Sequence, residues 1–211
     1  MTDHNFKFEN RFANIAPKPR IDDEFVLNFL NEFLMGVPNT TSPTAPLRSF
    51  DCLTECHDAG AGHRVLWILG YAGLVCDYIA RSLPNQEVFS AVANKINELK
   101  EYSGNEGSGK TWEVITQIAI ILRCVHALYL GGPHELLGLG ERKYRAVYSR
   151  TFCGTTADDA KKAWEEACQK DRLVFPHVVV LTPTHNAFKQ FDAILIHGES
   201  AEEIWVVGFA N

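Results

Sequence analysis

Long hydrophobic runs are missing from this 211-residue chain. The longest, at 114–122 and 173–181, carry polar breaks. Both fall short of the roughly 18 apolar residues that a membrane span requires, so no membrane partner is expected. The opening residues, MTDHNFKFENRF, hold no apolar segment of the secretory kind. That absence puts the expected location inside the cell, in cytoplasm or nucleus. Excess positive charge is missing too, since the formal net charge is −6. Proteins that bind nucleic acid through phosphate neutralisation are usually basic, so the balance disfavours nucleic acid as a general partner. The chain also lacks a nucleophile elbow, a dinucleotide-binding glycine fingerprint, a zinc-protease motif and any internal repeat. Its six cysteines (Cys52, Cys56, Cys76, Cys124, Cys153 and Cys168) are scattered, and read as reduced thiols. Cys76 and Cys124 fall in apolar helical runs, where a free thiol behaves as a small hydrophobe.

What is present is a globular composition, 46% hydrophobic and 22% charged, enough to build a core rather than a disordered tail. Residues 1–20 are polar, contain APKP at 16–19, and read as an extended arm. Asp22 and Asp23 then open a helix in which Phe25, Val26, Phe29, Leu30, Phe33 and Leu34 recur at helical spacing. The stretch 37–47, VPNTTSPTAPL, is the best candidate linker. Apolar residues from Val65 to Ile79 predict a buried helix over 62–82. Val88, Phe89, Val92, Ile96 and Leu99 predict an amphipathic helix over 86–102. A third long helix is expected over 111–130, closed by Gly131-Gly132-Pro133.

Beyond residue 140 the pattern changes to strands. KYRAVYSRTF (143–152) alternates, and a short polar helix capped by the Thr156 region runs to about 170. Three strand-like runs follow: VFPHVVVLTP (174–183), FDAILIHG (191–198) and EIWVVGFAN (203–211). The expected fold class is α+β, with an arm at 1–20, a helical region at 21–110 and a helix-plus-three-strand core at 111–211. Ending on an apolar strand, that core reads as truncated. Arg142, Lys143, Arg145 and Arg150 gather positive charge in the middle of the chain and read as a solvated connector or strand edge.

Residues 104–111, GNEGSGKT, match the phosphate-binding loop pattern of Gly, four residues, then Gly-Lys-Thr. In such a loop Gly104 and Gly109 would let backbone N–H groups cradle phosphates, Lys110 would reach the outer oxygens and Thr111 would hold magnesium. The motif needs a strand before it, and VANKINELKEYS is helical in period and carries four charges. A Gly/Ser loop between two helices is therefore the favoured reading, with a nucleotide-hydrolysing protein as one alternative. Cys52, Cys56, His57 and His63 put two thiols and two imidazoles close together, a set zinc accepts, but the spacing is unlike the usual paired fingers. A cysteine-bearing loop leading into a helix is preferred. His126, on an apolar helix, reads as a core residue.

Glu113 stands near the start of the third long helix, and Asp192 opens the second strand of the final three. This order of elements resembles the core of the PD-(D/E)XK nuclease superfamily. The stretch LTPTHNAFKQFDAILIHG leading to EIWVVGFAN is most similar to nuclease-like domains of Crinkler-type effectors and retrotransposon-hot-spot proteins. The resemblance covers about residues 111–211. It implies a magnesium site with Asp192 as central ligand and Glu113 as auxiliary ligand, because hard divalent ions prefer carboxylate oxygens. The family's third element is an acid or Gln, one residue, then Lys on the following strand; Ile204–Asn211 contains neither acid nor lysine. The leading expectation is therefore a nuclease-like scaffold without catalysis or cofactor, acting as an interaction or effector module on a protein partner. The alternative is a magnesium-dependent nuclease, which requires Glu113 and Asp192 to converge and another group to replace the missing lysine.

Overall fold

The structure is a computed structural model that describes residues 21–35, 61–84, 86–102, 108–131, 137–184 and 191–210. The arm at 1–20, the linker at 37–47, Cys52, Cys56, His57 and Gly104 lie outside these residues, as does the side chain of His63. The element order is α1 (Asp23–Met35), α2 (Ala61–Ser82), α3 (Glu87–Tyr102), α4 (Ser108–Leu130), β1 (Ala146–Phe152), α5 (Ala157–Asp171), β2 (His177–Pro183), β3 (Ala193–Gly198) and β4 (Ile204–Phe209). This is the expected α+β class, helices first and then helix plus strands.

Local chemistry explains the ends of these helices. The Asp22 carboxylate accepts from Phe25 N at 3.0 Å, satisfying one of the orphan donors of α1. Leu128 O accepts from Gly131 N beyond α4, and Gly131 has φ +68, a backbone geometry that glycine adopts without strain. Helix α5 starts with a capping box: Thr156 Oγ1 accepts from Asp159 N, and the Asp159 carboxylate accepts from Thr156 N.

The four strands lie in the order β1-β2-β3-β4. β1 and β2 are parallel, joined through α5, while β2–β3 and β3–β4 are antiparallel. Side chains alternate between the two faces. Val178, Val180, Ala193 and Leu195 join a cluster with Phe29, Phe89, Ile96, Ile121 and Leu122 from α1, α3 and α4. Val179, Leu181, Ile194 and Ile196 pack instead with Ala160 and Trp164 of α5. Among the described residues, the sheet thus lies between the α1, α3 and α4 layer on one face and the amphipathic helix α5 on the other. The boundary expected at 110/111 passes through the first cluster, which draws residues from both sides of it.

Helix α4 is the centre of the helical layer, contacting α1, α3, β1 and β2. Counted as a whole helix rather than as an uninterrupted run, its Lys110–Leu130 portion is long and apolar enough to cross a bilayer. The run-length estimate from the sequence missed this. More than half of that window (56%) is buried against the rest of the protein, because a helix packed on several sides must be apolar nearly all round.

Candidate functional site

At the N-terminal end of α4 the buried apolar face gives way to a polar group of residues. Glu113 and Gln117 stand four residues apart on α4, so they share one face, with Lys110 one turn earlier. Lys95 and Glu98 face them from α3. Asp192 arrives at the head of β3, where its backbone is held from two sides. Its N–H donates to Phe209 O of β4 at 2.7 Å, and its carbonyl accepts from Gln117 Nε2 at 2.9 Å. The Gln117 amide is the hinge of the group, since its Oε1 also accepts from Lys95 Nζ at 2.6 Å. Gln117 and Lys95 are both buried, at 3% and 9% exposure, so this relay is shielded from solvent.

The electrostatics are those of opposed charges in a poorly solvated place. Burial holds the Lys95 ammonium below its ordinary value, partly offset by Glu98 and Glu113. Burial raises the Glu113 carboxyl, and the Asp192 charge raises it further. Lys95 and Lys110 pull Glu113 back down, while Glu98 adds to the rise. Glu113 and Asp192, singled out from sequence, are therefore brought within electrostatic reach of one another. Lys95, Glu98 and Gln117 were not. Their signal was visible in retrospect: Val92, Lys95, Ile96 and Leu99 lie on one helical stripe, so a lysine interrupts a face that is otherwise core.

The other sequence candidates separate from this group. Gly109, Lys110 and Thr111 lie in the first turns of α4, and the element before the loop is helix α3, as its period predicts. Lys110 is exposed and its charge acts on Glu113. His126 is buried on α4 and its Nε2 meets Asn31 Oδ1 at 2.7 Å. Among the described residues, no three of His, Cys, Asp and Glu gather as a metal-holding group. Cys76, Cys124, Cys153 and Cys168 are free thiols. The basic stretch is dispersed: Arg142 stacks over the Trp205 ring at 3.9 Å, whereas Arg150 pairs with Asp171 at 2.9 Å and Glu87 at 3.4 Å.

Compared with known proteins, the chain matches no family, no curated protein and no solved structure.

A pair of carboxylates that repel each other, beside a buried lysine, can do two things chemically. It can take up a hard cation, which relieves the repulsion, or it can serve as an internal ion-pair cap for the helix layer.

Proposed function

We propose that this chain is a divalent-cation-dependent phosphodiesterase of the nuclease type, with Glu113 and Asp192 holding the cation and Lys95 as the adjacent ammonium. The observation that carries the reading is that Gln117 bonds both Lys95 Nζ of α3 and the Asp192 carbonyl at the head of β3, with Glu113 one turn away on the same face of α4. Magnesium is commonly held by only one or two carboxylates, with waters and substrate phosphate oxygens completing its shell, so this donor set suits it. The cation's contribution when bound is to polarise the phosphoryl oxygen and acidify an attacking water. The protein's own contribution is positional. Gln117 bonds the Asp192 backbone carbonyl and the Lys95 ammonium at once, which ties the head of β3 to α3. Strand β4 carries no acid or lysine, and in this reading Lys95 from α3 substitutes for the lysine's charge.

A non-catalytic interaction module is the second reading. It is favoured by the exposed Val206 (58%) on β4, which among the described residues pairs with β3 alone.

The test is a thermal-shift series with magnesium, manganese and ATP–magnesium, followed by cleavage assays on single- and double-stranded DNA and RNA. Asp192→Ala is informative because the bonds to Phe209 and Gln117 use its backbone atoms and survive the substitution. Magnesium or manganese should raise the melting temperature of the wild type and not of Asp192→Ala. Lys95→Met should bind the cation yet cleave about 100-fold more slowly, because its buried ammonium positions Asp192 through Gln117 and a small misplacement at the reacting centre is costly. Absence of both a cation-dependent shift and cleavage sinks the proposal and leaves the interaction module. A shift with ATP that disappears in Lys110→Ala would move the site to the glycine loop.

A further inference from the structure

A cleft of about 430 Å³ lies between the start of α3, the end of α4, β1 and the end of α5. That is the volume of an ordinary ligand site. Its relation to the sheet is unusual. Val147 belongs to the cluster under the helical layer and Tyr148 packs in the α5 cluster, yet both line the same cleft. Neighbouring residues of a strand point to opposite faces, so one cavity can touch both only by wrapping around the strand's edge. Among the described residues, β1 is an edge strand, hydrogen-bonded to β2 alone.

The charge along this edge runs against that of the whole protein. Arg145, Arg150 and Arg172 line the cleft, against Glu87 and Asp171, an excess of one positive charge (three against two) in a chain of net −6. Arg150 spans the edge, bonding Glu87 of α3 on one side and Asp171 of α5 on the other. Arg145 and Arg172 are exposed, and Val174, 55% exposed, provides an apolar lip.

We propose that this edge is a binding site for an extended acidic peptide, which adds to the sheet beside β1 and sets its carboxylates against Arg145 and Arg172. Strand addition draws affinity from main-chain hydrogen bonds and specificity from side-chain pockets. Guanidinium groups hold carboxylates in paired, planar geometry, so the arginines select acidic sequences. The site is independent of the Glu113–Asp192 group, and each can fail without the other.

The experiment uses the full chain and a fluorescein-labelled hexapeptide of alternating Glu and Val. Its comparisons are the Lys/Val counterpart and an acidic version N-methylated at alternate residues. Saturable binding of the acidic peptide, at least about tenfold tighter than the basic one, is expected, with amide shifts in 146–151 by NMR. Arg145→Glu with Arg172→Glu should weaken it by about tenfold or more, and both positions are exposed enough for the fold to survive. N-methylation should abolish binding, because it removes the strand's donors. Equal binding of the N-methylated peptide, or full competition by free glutamate or inorganic phosphate, would assign a small-anion site and overturn strand addition. No binding up to about 1 mM, with the double variant self-associating, would make the arginines guards of an open edge and overturn the proposal as well.

Discussion

The Trp164 indole donates to Nε2 of His177 at 3.0 Å, in a space so tight that a Cβ on Gly198 would lie 2.9 Å from the same nitrogen. Tyr148 and Phe175 close around the ring, at 5.9 and 4.5 Å between centroids. A protonated ring could not accept from Trp164 and would carry a charge with little water near it. Burial accordingly holds the His177 imidazole down at about 4 from its ordinary 6.5, with the Val174 backbone opposing and His197 assisting. Because the folded value lies below the unfolded one, the contribution is complete above about pH 6.5 and is lost as the pH falls towards 4. Its full size is on the order of 3 kcal/mol. Urea unfolding at pH 7.5, 6 and 4.5 should show this fall, and His177→Gln, which keeps an acceptor for Trp164 but cannot titrate, should flatten it. An unchanged slope in the variant would place the titration elsewhere. His177 was present in the sequence as a strand residue, but nothing local announced that its partner would be a tryptophan of the preceding helix.

At the scale of elements, α5 is the crossover between the parallel strands β1 and β2, and among the described residues it is the helix that covers the second face of the sheet. Its start depends on Asp159. The carboxylate is held below its usual range by the Thr156 hydroxyl, then by the backbone N–H groups of Thr155 and Thr156. Gly154 is packed against the same side chain, so that a Cβ there would come 2.3 Å from Asp159 Cβ. Thr156→Ala should therefore lower the melting temperature by about 2–4 °C, the usual effect of losing one helix cap in a protein of this size. Differential scanning calorimetry would read it directly, and an unchanged melting temperature would mean that packing of Trp164, not the cap, holds the helix. The cap, the apolar stripes of α1 and α3 and the final three strands were all legible in the sequence, because each depends on residues close together in the chain. The pairing of β1 was not. Alternation in KYRAVYSRTF identifies a strand but is silent on which neighbour it meets and in which direction.

For the whole molecule, one cluster joins Phe29, Phe89, Val114, Ile121, Val178 and Leu195, so separating the helical region from the sheet would expose the largest apolar surfaces of both. The chain should accordingly unfold in one transition, with far-ultraviolet circular dichroism and tryptophan fluorescence coincident in urea. Two separated transitions would establish the helical region as its own unit and support a boundary near 110. By itself, the sequence determined the helices, their apolar faces, the strands and the α+β order, since periodicity and capping are properties of near neighbours. It also singled out Glu113 and Asp192 as carboxylates at element starts. Only the tertiary structure decided that they lie with Lys95 and Gln117, and that α3, α4, β1 and α5 enclose a cleft. Those groupings join residues distant in the chain, and their meeting is set by how faces pack, which no local pattern encodes.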